Sequence, residues 1–526
     1  MSQQQDRVPG TIHLVNTNAH DIVLHPQPSS DPEDPLNWSL KRKRWAASMV
    51  YIYLLGIGIA TTVQYSVISN ISDETGISVA DLDTGTGLMF LFLGWGCLIW
   101  QPIALVFGRR GVLILSSLLS IGPMVWTVYS HSPGVWYLHR ILLGVLAAPC
   151  ESLPEIAMAD ICFAHERGLY IGIYALFLFG SNAIAPLLAG FITHGLGWRA
   201  AIWFGTIVLA CTTVVIFFGL EETMYFRQTV EGIEEEDSVA ENSLAGEKEE
   251  KSPVPRIGTP ATTTTEPQKY VQKLKLFRNM AGRPSVKQML VMMYRPLVIF
   301  LYFPNISSAG FLYGSNLSWY LVVNGTMSAV LSGEPYNFAA NMAGLAYVSP
   351  LIRSFVGAIW TGWVGDKVAL YLARRNGGIR EPEHRLWILI GSALIGAAGF
   401  LLWRVGAARQ INSVAIIVGT GMVMATVTAG GSVALAYGVD CFKEISGEAM
   451  MLIIVIRNTI GFGFSYGITP WLNAQGYVKT FVAVAMLSLG FTLTFLIFVF
   501  WGKSLRRTSA KKHWQYVQTL VVPGKH

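Results

Sequence analysis

The chain has 526 residues, of which 52% are hydrophobic and only 13% are charged, and its mean hydropathy is +0.45. Soluble domains contain about 25% charged residues, so this composition argues against a soluble globular enzyme, a disordered chain, collagen or a coiled coil. The net charge of +6 gives no support to nucleic-acid binding. The five cysteines are an odd number and do not predict a disulfide framework.

Twelve apolar segments are long enough to cross a membrane, because a bilayer core needs about 20 apolar residues per helix. We therefore predict an all-α polytopic membrane protein with twelve transmembrane helices in two pseudo-symmetric six-helix bundles. Spans 1 to 6 are predicted at 45–69, 85–107, 112–129, 135–158, 169–192 and 198–220. Spans 7 to 12 are predicted at 297–323, 340–364, 386–405, 414–438, 449–472 and 481–501. No short apolar stretch with a cleavage site precedes span 1, so we expect no removed signal peptide.

The basic residues predict the orientation, because lysine and arginine collect in cytoplasmic loops. With the N-terminus inside, 31 of the 38 basic residues fall on the cytoplasmic side and four on the other. We therefore expect both termini to lie in the cytoplasm. We expect the protein in the plasma membrane, with the vacuolar membrane as the alternative. Two Asn-x-Ser/Thr sequons, at Asn70 and Asn324, fall on predicted outer loops and predict glycosylation there.

The composition divides the chain into five parts. They are a cytoplasmic segment at 1–44, a six-helix bundle at 45–222, a linker at 223–292, a second bundle at 293–502 and a cytoplasmic tail at 503–526. The linker is acidic and rich in serine, threonine and proline, so we predict that it is largely disordered. Its basic and apolar end, 269–295, either lies on the anionic inner leaflet or forms a partly helical lead-in to span 7.

The two halves repeat short motifs at equivalent positions. Gln101–Arg110 follows span 2, and Gly362–Lys367 follows span 8. In the same way, Asp160–Phe163 follows span 4, and Asp440–Glu444 follows span 10. Such a duplication is typical of a transporter whose substrate binds between the halves at mid-membrane depth.

The repeated loops resemble those of the major facilitator superfamily, which carry Gly-x-Leu-Ala-Asp-Arg-x-Gly-Arg-Arg after spans 2 and 8. The resemblance implies that these loops form gates. The first copy keeps Gly108, Arg109 and Arg110, but Gln101 replaces the glycine and Leu105 replaces the acid. The residues kept in the second copy are Gly362 and Asp366, which Lys367 follows.

Two segments inside the membrane resemble further motifs of the superfamily. Arg140–Gly144 in span 4 resembles its arginine–glycine motif. Ala185–Gly190 in span 5 resembles the antiporter motif Gly-Pro-x-x-Gly-Gly, with Pro186 and Gly190 kept and alanine at two glycine positions. This second resemblance implies a proton antiporter.

A narrower resemblance is to the fungal twelve-span drug:proton antiporters, and within them to the branch that contains the histidinol and polyamine transporter. It is carried by Asp34–Ser39, Ala148–Glu155, His165–Gly168, Leu220–Thr223, Arg374–Gly378, Glu381–Glu383 and Arg457–Asn458. The resemblance covers about residues 34–501. It does not specify the substrate.

Apart from Arg199 and Arg404 at the ends of spans 6 and 9, five charged side chains fall inside predicted spans, where each costs about 2.5–3.5 kcal/mol on insertion scales. They are Arg140, Glu151 and Glu155 in span 4, Arg353 in span 8 and Arg457 in span 11. Glu151 follows Arg140 by three helical turns, so both lie on one face, about 16 Å apart. Pro149 and Pro154 are predicted to bend span 4 beside Glu151.

A buried carboxyl can couple transport to protons when its neighbours change between the outward and inward states. Glu151 is interpreted either as a coupling or substrate residue or as a fixed ion pair, whereas for Glu155 a structural role is favoured. The motif implies that Arg140 organises the cavity wall of span 4. Arg353 and Arg457 either grip an anionic group, pair with Glu151 as the halves move, or serve packing.

Amide and hydroxyl side chains are predicted to line the central cavity. They are Gln64, Tyr65, Asn305, Tyr313, Asn316 and Asn458. Asn305 and Asn316 lie eleven residues apart on one helix face, and interhelical hydrogen bonding is the alternative for both. Pro304, Gly310 and Gly314 predict a broken helix in span 7.

The sequence contains no zinc-protease motif, Walker loop or serine-hydrolase motif, so we expect no enzyme, no metal and no bound cofactor. The first hypothesis is proton-coupled export of a drug-like compound or secondary metabolite by alternating access. The alternative is proton-driven uptake of organic cations such as polyamines or histidinol, and from another class a non-transporting nutrient sensor. We expect the partners to be a small-molecule substrate and the lipid bilayer, without nucleic acid, and the chain to be a monomer.

Overall fold

The computed structural model describes residues 8–13, 34–225, 275–277, 285–334, 336–409 and 413–521. Most of the predicted linker, 223–292, and part of the N-terminal segment lie outside these residues. The predicted disorder of the linker therefore stays a prediction.

Helices make up the N-terminal half, in the order that the sequence predicts. They are α1 (Leu40–Thr62), α2 (Ile68–Thr75), α3 (Val79–Phe107), α4 (Arg109–Val128), α5 (Pro133–Ala147), α6 (Pro149–Ile161), α7 (Ala164–Leu196) and α8 (Trp198–Gly219). Spans 1, 2, 3, 5 and 6 are α1, α3, α4, α7 and α8. Span 4 consists of α5 and α6.

The C-terminal half follows the same plan with more interruptions. Its helices are α9 (Val286–Tyr302), α10 (Pro304–Ser332), α11 (Ala340–Leu345), α12 (Val348–Ile359), α13 (Gly365–Arg375), α14 (Leu389–Arg409), α15 (Val414–Cys441), α16 (Ser446–Leu493) and α17 (Phe495–Val521). Span 7 is α10, span 8 is α11 to α13 with a π-helical turn at Trp360–Val364, and spans 9 and 10 are α14 and α15.

Serine side chains begin several of these helices, because the first backbone N–H groups of a helix need an external acceptor. The hydroxyl of Ser78 accepts from the N–H of Asp81 at 3.1 Å, and that of Ser285 accepts from Gln288 at 3.3 Å. Glycines with positive φ end others, since only glycine adopts this conformation without strain. Gly108 (φ 106°) lets span 2 turn directly into span 3.

The last spans come from one long stretch of helix, Lys443–Val517, which has 75 residues. At 1.5 Å per residue it would measure about 112 Å, far more than the bilayer core of about 30 Å. It turns at Gly476, where φ is 71° and ψ is 167°. α16 up to Gly476 is therefore span 11, and the rest of α16 with the start of α17 is span 12.

Counted by length and apolarity, ten helices in the described chain can cross a membrane, or eleven when one bent pair is included. Dividing the long stretch at Gly476 brings the number to twelve. The predicted fold class, two six-helix bundles, is confirmed.

The predicted break in span 7 is found at Pro304, and not at Gly310 or Gly314. α10 runs without interruption from Pro304 to Ser332, through both Gly310 and Gly314. The chain bends earlier, by 98° between α9 and α10, because Pro304 begins the new helix. Residues 297–302, which we predicted as the start of span 7, belong to α9. The two glycines instead allow close packing against Ile456 and Arg457 of span 11.

Each half has its own hydrophobic core. One core runs from Trp38 to Leu220, and a second runs from Ile299 to Val517. A third cluster joins the halves, because Tyr65 of the first half packs with Trp319 and Tyr320 of the second. Since successive spans alternate in direction, Gly108 and the described chain ends lie at one end of the bundle, the terminal end. Gly76 and Gly197 lie at the opposite, far end.

The chain ends pack together at the terminal end. Strand β1 (Ile12–His13) pairs antiparallel with strand β2 (Ile379–Arg380) in the loop between spans 8 and 9. α17 continues beyond the predicted end of span 12 as far as Val521, so most of the predicted tail is helical.

Candidate functional site

A buried ion pair joins the two halves. Nη2 of Arg457 in span 11 donates to Oε2 of Glu151 in span 4 at 2.5 Å. Only 5% of the Arg457 side chain and 9% of the Glu151 side chain are exposed. The structure thus brings together two of the five charged residues that the sequence singled out.

The helix of span 4 is interrupted at Ala148, and this interruption places Glu151, whereas the predicted bend stays a prediction. α5 ends at Ala147 and α6 begins at Pro149, which has no N–H to donate to the carbonyl of Val145. Nε1 of Trp100 in span 2 donates to that carbonyl instead, at 2.8 Å. The break therefore keeps its hydrogen bonding through span 2, and Glu151 lies in the first turn of the second segment.

Tyr313 and Asn458 complete the surroundings of Arg457. The Arg457 guanidinium lies 4.7 Å from the ring centroid of Tyr313 in span 7. Nη2 of Arg457 also donates to Oδ1 of Asn458 at 3.3 Å. Asn458 packs against Gly94 of span 2, where a Cβ would come within 2.7 Å of it.

A cavity of about 40 Å³ lies beside the ion pair, between the two halves. It is lined by Phe90, Glu151, Leu178, Phe179, Asn182, Tyr313, Leu317, Tyr320, Met424, Val427 and Arg457. This volume holds a water molecule or two and no organic solute. The lining is aromatic and apolar around a single charge pair.

The other charged residues predicted for the site lie apart from the pair. Glu155, one turn beyond Glu151, is half-buried and interacts electrostatically with Tyr174. Arg140 is fully buried, with its guanidinium 4.5 Å from the Trp136 ring, and its nitrogens make no hydrogen bond within the described chain. Arg353 packs against Gly421 of span 10.

Several predicted cavity residues do not line the cavity. Asn305 donates to the hydroxyl of Tyr437 at 2.8 Å, so interhelical hydrogen bonding, the alternative for this residue, is its observed role. Asn316 packs against Gly430 of span 10. Gln64, which lies just after α1, donates to the carbonyl of Thr61, and Tyr65 packs in the cluster at the far end. Of these four residues, only Asn305 hydrogen-bonds to another helix within the described chain.

The predicted glycosylation of Asn324 is wrong, because Asn324 lies inside α10 and is 4% exposed. Its Oδ1 accepts from the hydroxyl of Tyr347 at 2.6 Å. Span 7 extends nine residues beyond its predicted end at 323, which moves this sequon into the protein. Asn70 is exposed in α2, and its glycosylation stays a prediction.

The loop after span 2, with Gly108, Arg109 and Arg110, is the first of the two predicted gate loops, and acids from neighbouring spans hold it. The carboxylate of Glu222 accepts from the backbone N–H groups of Arg109 at 3.0 Å and Arg110 at 3.1 Å. The Arg109 side chain pairs with Asp160 at the end of span 4. That of Arg110 donates to the carbonyl of Leu220 at 2.7 Å. An acid at Leu105 is not needed for this loop to be anchored.

The second gate loop repeats this arrangement. Arg385 donates to Asp366 at 2.7 Å and lies 3.6 Å from Asp440 at the end of span 10. Lys367 lies 3.5 Å from the ring centroid of Trp363, and Gly362 lies in the π-helical turn. Asp160 and Asp440 are equivalent in the two halves, so each half fixes its own loop with an arginine.

The antiporter-like segment packs at the far end. A Cβ on Gly190 would lie 2.4 Å from the carbonyl oxygen of Ala340 in span 8 and 2.9 Å from Cα of Gly344. The carbonyl of Pro186 accepts from the hydroxyl of Ser66 at 2.6 Å. Toward the terminal end the two spans are separated by a crevice of about 270 Å³. Spans 5 and 8 are therefore in contact at the far end and separated toward the terminal end.

Substituting Gly190 with valine should hold the far end open, because the new side chain collides with the backbone of span 8. Gly195→Val is the matched control, since no heavy atom lies within 4 Å of its Cβ position in the same helix. The readout is the reactivity of Ser69→Cys with a membrane-impermeant thiol reagent, which should rise in Gly190→Val. Equal behaviour of the two valine variants would show that the close approach has no role in closure.

Asp83 is a buried acid that sequence reasoning missed. α3 begins at Val79, six residues before the predicted start of span 2 at 85, so the helix includes Asp83. The predicted boundary assigns Asp83 to a loop, because it is a charged residue that lies just before an apolar segment. The capping pattern of Ser78 with Asp81 is the signal that would have moved the boundary. Among the described residues, no group of three metal-ligating side chains is present.

Two six-helix bundles joined around a buried charge pair and a cavity define a membrane transporter of the two-bundle class. The sequence model of the Major Facilitator Superfamily matches residues 50–440, and the chain belongs to this superfamily. Relatives to which it is similar carry the names of transporters and efflux pumps, and the superfamily is one of transporters and not of enzymes.

Full-length relatives come from fungi. The chain is 27% identical to Protein HOL1 of Saccharomyces cerevisiae, over 98% of this chain and 97% of that protein. It is 23% identical to the Aspergillus flavus protein named "probable efflux pump mfs2", over 84% of this chain and 97% of the relative. These relatives confirm the resemblance to the superfamily and to its fungal transporters.

A solved structure shows the same fold. The human organic anion transporter MFSD10 (TETRAN) superposes with a TM-score of 0.53, over 86% of this chain and 99% of that chain. The two sequences are 14% identical, so the likeness concerns the fold alone.

Proposed function

We propose that the chain is a proton-coupled secondary transporter that moves a small organic solute by alternating access. The observation that carries this proposal is the Glu151–Arg457 ion pair, because the carboxylate and its counter-ion belong to different halves. Protonation of Glu151 removes the charge that Arg457 neutralises. Separation of the halves exposes Glu151 to water, where it exchanges its proton. Both events change the same contact, as coupling requires.

The proposed orientation places the terminal end in the cytoplasm, because the basic residues collect there. The far end, closed by Gly190 and Gly344, then faces outward. We place the protein in the plasma membrane, with the vacuolar membrane as the alternative. In this orientation Glu151 exchanges protons with the outside only after the far end has opened.

Export of a drug-like compound or secondary metabolite is the first choice of substrate and direction. The cavity lining supports it, because aromatic and apolar side chains such as Phe90, Phe179 and Tyr320 surround one neutralised charge pair. Such a lining favours an apolar solute with few polar groups. The antiporter-like segment around Pro186 and the name of the Aspergillus flavus relative support export as well.

Uptake of organic cations is the second candidate. Two carboxylates, Glu151 and Glu155, interact electrostatically with the Tyr174 phenol. When Arg457 moves away with its half, Glu151 and the Tyr174 ring form a site that suits an ammonium group. In this candidate the proton and the cation move inward together.

Membrane vesicles of opposite orientation distinguish these functions. Inside-out vesicles with an acidic lumen should accumulate a neutral drug-like fluorophore, and a protonophore should abolish the accumulation. Accumulation of labelled spermidine in right-side-out vesicles with acid outside would instead establish cation uptake. If neither vesicle type shows a gradient-dependent flux with the panel of drugs and polyamines, transport of these classes is refuted and the sensor hypothesis gains.

A further inference from the structure

Asp83 is a buried carboxylate at the far end of span 2. It is 5% exposed, and its carboxylate oxygens make no hydrogen bond or ion pair with any described residue. Burying an ionised carboxylate without a partner is costly, so such a group stays neutral or finds a counter-ion. Neither the Glu151–Arg457 pair nor the gate loops make use of this residue.

The carboxyl of Asp83 lies in the seam between the two halves. A Cβ on Gly325 of span 7 would be 3.1 Å from both carboxylate oxygens, so a larger residue there would press on the carboxyl. The hydroxyl of Ser465 in span 11 donates to the backbone carbonyl of Asp83 at 2.9 Å. Spans 7 and 11 of the C-terminal half therefore cover this side of span 2.

Other contacts close the same seam around Asp83. The hydroxyls of Ser69 and Ser328 are 3.2 Å apart, and Ser328 also donates to the carbonyl of Ser66 at 3.3 Å. Gly190 and Gly344 close the far end between spans 5 and 8. The closed seam therefore leaves Asp83 only 5% exposed, and opening of the seam would give water at the far end access to its carboxyl.

No basic residue of the described chain neutralises Asp83. Arg140 approaches Gly85, two residues further along span 2, with its Cγ 3.6 Å from the Cβ position there. Because two residues correspond to about 200° around a helix, Gly85 and Asp83 face opposite sides. Arg140 thus lies against the face of α3 that packs on span 4, and Asp83 lies on the opposite face.

The remaining ionisable groups around Asp83 are phenols and one acid. Tyr347, at the start of α12, interacts electrostatically with it. Tyr466 of span 11 is 61% exposed. Asp81, on the same helix, accepts from the hydroxyls of Ser78 at 2.6 Å and Tyr137 of span 4 at 2.5 Å. The carboxylate of Asp81 therefore has partners in the closed structure, whereas that of Asp83 has none among the residues that the structure describes.

We propose that Asp83 is a proton-binding site of the far-end gate, and that the gate closes when this carboxyl is protonated. The proton comes from the solvent at the far end while the seam is open, and it returns there when the seam opens again. Acid at the far end then favours the state that is open to the terminal end. This inference rests on the proposed alternating access, but gate closure is measurable without any substrate.

The test is the distance between spin labels at Asn70→Cys and Asn473→Cys, in a Cys211→Ser background in lipid nanodiscs. Asn70 and Asn473 are exposed residues at the far ends of the two halves. Lowering the pH from about 8 to about 5.5 should shift the unsubstituted protein toward the short distance. The closed-to-open ratio should rise by at most about tenfold per pH unit, the limit for one proton.

Asp83→Asn should show the short distance throughout this range, with the pH response lost. Asp83→Ser, which is smaller and also neutral, should behave in the same way, so a packing defect of one variant does not decide the result. Asp81→Asn is the matched control and should keep the full response. A normal pH response in both Asp83 variants would overturn the inference.

The same measurements separate this inference from the proposed function. A pH response that depends on Asp83, in a protein that moves no solute under any gradient, refutes transport and leaves the gate proton site standing. Gradient-driven transport together with a normal pH response in the Asp83 variants refutes the proton site and leaves transport standing.

Discussion

Replacing Glu151 with glutamine should reduce proton-driven transport to the background of empty vesicles, while the protein still reaches the membrane. The amide has nearly the shape of the carboxyl, but it neither binds nor releases a proton at physiological pH. Arg457 would then keep one neutral neighbour in every state of the cycle. The measurement is substrate flux at a series of pH gradients, normalised to the amount of protein in the vesicles.

The variant should also be less stable, because the Arg457 charge remains buried without its counter-ion. Breaking a buried ion pair by removing one partner costs about 3–5 kcal/mol, although the amide oxygen still accepts a hydrogen bond and lowers this figure. The double variant Glu151→Gln with Arg457→Gln should recover thermal stability without recovering transport. That pattern separates a role in coupling from a role in folding.

Glu155→Gln is the matched control, one helical turn away on the same helix. Glu155 has no partner role in the Glu151–Arg457 pair, so we expect this variant to retain a pH-dependent flux. If Glu151→Gln transports with the unsubstituted pH dependence, the ion pair is a fixed packing element, and the proposed coupling mechanism fails.

The sequence predicted the fold because its signals are local. Twelve apolar segments, alternating basic loops and repeated motifs each depend on neighbouring residues in the chain. Boundaries were less predictable, since polar residues also occur inside helices whose ends are buried. Span 2 starts at Val79 and span 7 ends at Ser332, and these shifts placed Asp83 and Asn324 inside the protein.

The site was predictable as a set of residues, and its contacts were predictable only as alternatives. Helical spacing indicated that Glu151 and Arg140 share a face, and pairing of Glu151 with Arg457 of the other half was one alternative among several; the structure contains this pair. Tertiary packing decides which charge comes within reach. Likewise, Asn305 meets Tyr437 and not the cavity, because span 10 lies against that side of span 7.

The gate loops also contain contacts that the sequence motif did not specify. The first loop lacks the acid of the superfamily motif at Leu105, yet Arg109 pairs with Asp160 from span 4. The repeat of Asp160 at Asp440 is visible in the sequence. The arginines that these acids hold, Arg109 and Arg385, come from different positions in the two halves, so no single motif describes both.

A second buried charge cluster, at the terminal end, ties α17 to the loop between spans 8 and 9. The Arg506 side chain has no exposed surface and donates to Glu383 at 2.7 and 2.9 Å and to Glu381 at 2.6 Å. Lys503 donates to the other oxygen of Glu381 at 2.6 Å. The hydroxyl of Thr11, in the N-terminal segment, donates to Glu381 at 3.0 Å.

Arg506→Ala should destabilise the protein more than other substitutions in α17, because it leaves two buried carboxylates with one lysine. We expect a loss of about 3–5 kcal/mol, the range for removing one partner of a buried ion pair. Arg507→Ala is the matched control, since Arg507 is the next residue and is exposed. Thermal unfolding of both variants, followed by intrinsic tryptophan fluorescence in detergent, measures the difference.

The pH dependence of unfolding supplies an independent check on the cluster. Burial raises the pKa of Glu381, but the hydrogen bonds from Lys503 and Arg506 outweigh it and hold the pKa below the usual 4.5. A lowered pKa in the folded state stabilises the protein above pH 4.5, and this stabilisation disappears as the pH falls through the folded-state pKa. The unsubstituted protein should therefore lose stability below about pH 4.5, and Arg506→Ala should lose less over the same interval. Parallel curves of stability against pH for the two proteins would show that Arg506 does not lower the pKa of Glu381. Equal melting temperatures of Arg506→Ala and Arg507→Ala would show that the cluster does not stabilise the protein.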